Sequence, residues 1–262
     1  MYLFPLKLPI IQKNDPLLEF VVKAIKEVKE TLKDGDIVVI TEKVVAISQG
    51  RVINLSEVKN VSEKAKKLGK KYEIDERLVE LILQEATTIL GGVSHVLLTI
   101  TNNFLIANAG IDQSNAGPGN VVLLPEDPEK VAWDYRKKLK EEFKINNLGI
   151  IITDSRVQPL RKGTVGVAVA TAGFEPVQDL RGKPDIYKRI LQIKMRAVAD
   201  DLTSAAEFLL NEADEQTPVV VIRGANVEFT ENPKMTMEIE PENCFFFEIF
   251  SKYFLNKKKT KK

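Results

Sequence analysis

At 262 residues, 44% hydrophobic and 29% charged, the chain has room for one large domain or two modest ones and the make-up of an ordinary globular protein. Its formal charge is +1, but Lys257, Lys258, Lys259, Lys261 and Lys262 supply five positives; without them the body carries −4, which excludes a general polyanion binder. The single cysteine, Cys244, excludes an intrachain disulfide and a cysteine-based zinc cluster, and no apolar run reaches the length of a membrane span, so a cytoplasmic protein without nucleic-acid or membrane partners is expected.

The apolar N-terminus, residues 1–11, is interrupted by Pro5 and Pro9 and lacks the basic and cleavage regions of a signal peptide, so it reads as an extended segment of the mature protein. Asp15-Pro16 opens a helix in which Leu17, Val21, Ile25 and Val28 recur at helical spacing, for about 16 residues, until Asp34-Gly35. Residues 37–41 read as a buried strand, and 44–47 with 52–53 as a continuation of the sheet around Gln49-Gly50. Two amphipathic helices follow: 62–71, basic on its outer face, and one that starts near Asp75, carries Leu78, Leu81, Ile82 and Ile89, and ends at Gly91-Gly92.

Strands at 96–100 and 104–107 flank an Asn102-Asn103 turn, and 121–124 is a further strand. Residues 128–143 read as a helix, 149–152, 165–171, 193–198 and 219–222 as strands, and 200–211 as an Ala-rich helix packed closely on a sheet. Hairpin-like pairs break any regular alternation of strand and helix, so the expected fold class is α+β with mixed sheets and packed helices.

Two of these strands run into aspartates flanked by small hydrogen-bonding residues: 104–107 into Asn108-Ala109-Gly110-Ile111-Asp112-Gln113-Ser114-Asn115, and 149–152 into Thr153-Asp154-Ser155. Oxygen-rich loops at strand ends suit a hard divalent cation and substrate phosphates. For either loop alone, a turn role for the aspartate is the simpler reading. Their joint occurrence favours a site, with Gly110, Gly117 and Gly119 around one and Arg161-Lys162-Gly163 after the other. Glu212, after the Ala-rich helix, is a third carboxylate for the same rim, and Arg161, Arg181, Lys183 and Arg189 supply positive charge for phosphoryl transfer. Standard P-loop, dinucleotide-binding and serine-hydrolase motifs are absent; the lone His95, at the start of an apolar strand, is assigned a structural role and Cys244 a buried, inert one.

At these same loops the chain resembles the coenzyme F420-0 γ-glutamyl ligase family, from Leu3 to about residue 250. The resemblance rests on residues 108–115, 152–155, Val165-Gly166-Val167-Ala168, Asp179-Leu180-Arg181-Gly182 with Asp185, and 199–207. It implies a ligase that uses GTP and a divalent metal, Mn²⁺ or Mg²⁺ with K⁺ as an additional candidate, to join L-glutamate to a deazaflavin precursor through an acyl phosphate. It also implies a homodimer, and a family-specific fold of two intertwined subdomains forming one catalytic unit over residues 1–255, with 256–262 a basic disordered tail.

Carried over residue by residue, the resemblance gives Asp112, Asp154, Ser155 and Glu212 as metal ligands and Asp112, Asp154 and Arg161 as catalytic. It gives Leu8, Pro9, Ile10, Ile11, Glu42, Lys43, Asn115, Leu210, Asn211, Ala213 and Asp214 as nucleotide-binding. Four departures bear on specificity. Ile47 stands where typical members have a nucleotide-reaching lysine, Gln158 replaces an arginine, and Asn211 and Lys188 each replace a glycine. Lys43 and Lys188 are the candidates to compensate for the missing lysine charge. These departures motivate two alternatives: an amide ligase with a different acceptor or nucleotide, and a non-catalytic metal- or nucleotide-binding protein on the same scaffold.

Overall fold

In chain order the elements are β1 (Tyr2–Leu6), α1 (Leu17–Glu27), β2 (Asp36–Thr41), α2 (Glu42–Ser48), β3 (Val52–Asn54), α3 (Glu63–Tyr72), α4 (Glu76–Glu85) and β4 (Thr88–Val93). Then come β5 (Val96–Thr101), β6 (Phe104–Ala107), β7 (Asn120–Val122), α5 (Pro128–Phe143), β8 (Leu148–Val157) and β9 (Thr164–Ala172). The chain closes with β10 (Val177–Asp179), β11 (Met195–Ala197), α6 (Val198–Leu210) and β12 (Val219–Arg223). The structure, a computed structural model, describes residues 1–211, 213–240 and 243–246. The expected basic tail and Glu212 lie outside the described residues. The mixed sheets and packed helices make an α+β fold.

The chain divides into two compact units, the first made of Met1–Arg51 and Pro125–Met237, the second of Val52–Leu124 with the described residues after Met237. In the first, a five-stranded sheet has the order β1-β12-β2-β8-β9, with β2 and β8 parallel and the other neighbours antiparallel. Ile37, Val38, Val39 and Ile40 are all fully buried because β2 is covered on both faces. Val38, Ile40, Ile150 and Ile152 pack with α1 and α5, while Ile37, Val39 and Ile151 pack with Ala199, Leu202 and Ala206 of α6. In the second unit, α3 and α4 share a core with β5 and β7 through Leu78, Ile82, Leu97 and Val121. There β4-β5-β6 form one antiparallel sheet and β3-β7 a second ladder. Among the described residues no helix is long and apolar enough to cross a membrane.

Several sequence expectations need correction. α1 stops at Glu27, short of Asp34-Gly35, because Arg223 binds the following segment: it donates to Glu30 at 2.6 Å, the Thr31 carbonyl at 2.7 Å and the fully buried Asp36 at 2.7 Å. Residues 44–47 belong to helix α2; Glu42, Val45 and Ala46 are its buried side, a helical period that β-branched content obscured. Ile89 lies in β4, since α4 ends at Glu85 and β-branched residues pair with β5. The N-terminal segment is extended as expected, but it is a paired edge strand, with Pro5 tolerated there. His95 is exposed in a turn at φ +70°, its Nδ1 3.0 Å from the Glu73 carbonyl, and Cys244 is half-buried rather than buried.

Candidate functional site

The register of the first sheet gathers residues that are far apart in sequence. Leu6, Val219, Ile40, Ile152 and Ala170 form one row across all five strands. Immediately beyond it, Leu8 N–H donates to the Gln216 carbonyl at 3.1 Å, Thr41 N–H donates to the Pro218 carbonyl at 3.0 Å, and Thr41 pairs with Thr153. Thr217 Oγ1 reaches the Leu209 and Leu210 carbonyls at 2.9 and 3.0 Å, which draws the end of α6 to the same rim. Leu8–Ile11, Glu42–Lys43, Asp154–Ser155 and, at the end of α6, Leu210 and Asn211 therefore share one edge of this unit.

Their side chains differ in what they offer. Leu8, Ile11 and Leu210 belong to the core, whereas Pro9, Ile10, Asn211, Ala213 and Asp214 are exposed. Glu42 is buried at the start of α2 and Lys43 half-buried beside it. Ile47, at the position of the missing lysine, packs against the hydrophobic core.

Asp154 is not at a strand end, as its sequence context implied. β8 continues to Val157, and Asp154 follows a register slip in which Ile152 faces Ala170 but Thr153 faces Ala168, leaving Val169 as the extra residue on β9. Such bulges re-aim side chains. Asp154 is half-buried, and its Oδ1 accepts the Ser155 N–H at 2.6 Å. Arg161 lies on the exposed turn between β8 and β9, beyond the end of β8 at Val157, which is itself about 10 Å along the strand from Asp154. Arg181 is engaged by Asp179, whose carboxyl the guanidinium holds down to about 2. Two residues given no site role from the sequence, Arg156 and Asp200, form an ion pair at 3.6 Å next to this segment. An acidic residue in the first turn of the Ala-rich helix was the available signal.

In the second unit Asp112 follows Asn108, Ala109 and Gly110, three successive residues at positive φ. This conformation is unusual for non-glycine residues, and the fold holds it with side-chain bonds. Asn108 Oδ1 accepts the Leu97 N–H at 2.8 Å, and Thr99 Oγ1 accepts the Ala109 N–H at 2.9 Å. Gly110 is required by space as well, since a Cβ there would stand 2.5 Å from Leu124. Asp112 exchanges backbone hydrogen bonds with Val122, while its carboxylate accepts both Ser114 N–H at 2.8 Å and Ser114 Oγ at 2.7 Å. It thus does perform a turn role. Asn115, three residues on, is exposed at φ +55°.

Among the described residues no three His, Cys, Asp or Glu side chains gather closely enough to hold a metal ion. The donor chemistry nonetheless fits a hard divalent cation. Asp112, Asp154 and Ser155 offer only oxygen side-chain donors, the type such a cation takes.

A family model described as F420-0:gamma-glutamyl ligase matches residues 5–224. The chain is 38% identical to the coenzyme F420:L-glutamate ligase of Methanopyrus kandleri over 83% of its own length and 84% of that protein's. It is 38% identical to the protein of the same name from Methanothermobacter thermautotrophicus, over 83% and 86% of the two chains. The counterpart from Methanocaldococcus jannaschii is 39% identical over 76% and 79%. On a match that spans both segments of the first unit and most of the second, the chain belongs to the F420-0:gamma-glutamyl ligase family.

Proposed function

We propose that the protein is a GTP- and metal-dependent ligase that forms a γ-glutamyl amide bond between L-glutamate and the deazaflavin precursor F420-0. One observation beyond family membership supports the reading: the described residues assigned to nucleotide and metal in the first unit, 8–11, 42–43, 154–155 and 210–211, share one rim of its sheet. The γ-phosphoryl group of GTP passes to the acceptor carboxylate, giving an acyl phosphate. The glutamate amine then attacks that carbonyl, the amide forms and phosphate leaves.

Asp112, Asp154, Ser155 and Glu212 would hold Mn²⁺ or Mg²⁺, with K⁺ a further ion to test, and the bound cations would neutralise the phosphate oxygens. Leu8–Ile11, Glu42, Lys43, Asn115 and the residues around Asn211 would hold the nucleotide, and Arg161 would supply charge to the reacting anions. The catalytic unit spans residues 1–255, acts in the cytoplasm and works as a homodimer. Incubating the protein with GTP, Mn²⁺ or Mg²⁺, L-glutamate and F420-0 is expected to yield a product heavier by one glutamyl residue. No mass shift beside an active control enzyme would count against the assignment.

A second reading, the same chemistry with another acceptor or nucleotide, is favoured by Ile47, which packs into the core where a phosphate-reaching cation stands in typical members. Thermal stabilisation by ATP and not by GTP would select it.

A further inference from the structure

β9 is the outer strand of the first sheet, and beyond the slip at Val169 it pairs with the segment of β8 that carries Asp154 and Ser155. Backbone groups of alternate residues point to the same edge of a strand. Here those of Gly166 and Ala168 find partners on α6: Asp200 Oδ1 accepts the Ala168 N–H at 3.0 Å, and Ser204 Oγ donates to the Gly166 carbonyl at 3.1 Å. Gly166 makes this approach possible, because a Cβ there would lie 2.7 Å from both Thr203 Cγ2 and Glu207 Cγ. The other Asp200 oxygen faces Arg156 of β8 at 3.6 Å. Strand alternation sets Arg156 on the same face as Asp154. Arg156 Nε is buried without a hydrogen bond, so Asp200 is the counter-charge that keeps this guanidinium in place.

We infer that Asp200 is a positioning residue: a single carboxylate bridges both strands of the slipped ladder and thereby fixes Asp154 and Ser155 in the orientation a divalent cation needs. The inference rests on the metal-binding reading above. Bulged ladders lose backbone bonds locally, so a side chain that holds β9 through the Ala168 N–H and β8 through the Arg156 guanidinium sets the local geometry.

Mn²⁺ binding to the purified full-length chain, followed through the electron paramagnetic resonance of the free ion without substrates, tests it. Measurements are made well below each variant's melting midpoint, which separates affinity from loss of fold. Asp200→Ala is expected to weaken Mn²⁺ binding by about tenfold or more. Asp200→Asn, which can still accept the Ala168 N–H, should restore affinity to within about threefold of the parent, and Arg156→Gln should fall between the two. Asp201→Asn, on the same turn but paired with Arg196, is expected to bind like the parent. If Asp154→Asn loses Mn²⁺ while Asp200→Ala keeps parental affinity, the positioning role is overturned and the metal reading stands. If Asp154→Asn also binds like the parent, the metal reading fails and takes this inference with it. Should Asp200→Ala not fold, Arg156→Gln decides, and parental affinity in that variant overturns the proposal.

Discussion

Asp154 and Ser155 are adjacent on a paired stretch of β8, so their side chains leave opposite faces of the strand. A cation held by the Asp154 carboxylate would then meet Ser155 through its main chain rather than through its hydroxyl. Asp154→Asn is expected to weaken Mn²⁺ binding on the order of 100-fold, and Ser155→Ala by less than about threefold, in titrations of the purified chain. Equal losses would show that the hydroxyl is a ligand and that the alternation is broken at this point. The sequence made the two aspartates legible because Asp, Asn, Ser and Gly cluster around them. It did not disclose the pairing of Arg156 with Asp200, which joins β8 to α6 across residues far apart in the chain. Nor does composition separate a turn aspartate from a ligand. Asp112 bonds Ser114 through both carboxylate oxygens, the bonding expected of a turn, and a carboxylate is equally the group a hard cation takes.

Among the elements, α5 was legible to the residue: Asp127 accepts the Lys130 N–H as its cap, and Pro128 occupies the first turn. What α5 does was not legible, because its partners lie far along the chain. Arg136 is buried in mid-helix, where it donates to the Leu148 carbonyl at 2.7 Å and to both oxygens of Glu231, with Lys140 adding a third bond to that carboxylate. Gly173 admits the arginine, since a Cβ there would stand 2.1 Å from Arg136 Nε. The Arg136 guanidinium, aided by Lys140, holds the Glu231 carboxyl down to about 2, from an ordinary value of 4.5. Because the folded value is depressed, the stabilisation is fully present above pH 4.5 and is lost as pH falls through about 2. Glu231→Gln should therefore cost about 1–2 kcal/mol at neutral pH, a figure kept low because Glu231 is more than half exposed. Urea titrations of both proteins at a series of pH values should show a constant gap from pH 7 to 5 and a closing one below about 4.5. A gap that widened on acidification would contradict the ion pair.

At the scale of the whole molecule, residues near 8, 42, 154 and 212 are read from the sequence as separate clues. Only the strand order β1-β12-β2-β8-β9 makes the described ones neighbours, and no local pattern encodes that order. Assembly is a further property that single elements do not spell out. Between β10 and β11 the chain makes an excursion fastened by its own bonds: Asp185 Oδ1 accepts the N–H groups of Tyr187 and Arg189, and Pro184 bridges Ile190. This excursion leaves Ile186, Tyr187 and Ile193 exposed by 90%, 81% and 88%, a density of apolar side chains that isolated surfaces rarely carry. A second copy of the chain is the occupant that fits the proposed homodimer, since a two-fold dimer sets the same patch of both copies against each other. Light scattering coupled to gel filtration should give twice the chain mass of 29.4 kDa. Replacing Ile186 and Ile193 together by Asp should lower it to that of one chain while the melting midpoint of the isolated chain stays within a few degrees, because neither side chain contributes to the core. A parent protein that runs as a monomer would sink the dimer itself. A double variant that still dimerises would move the interface elsewhere.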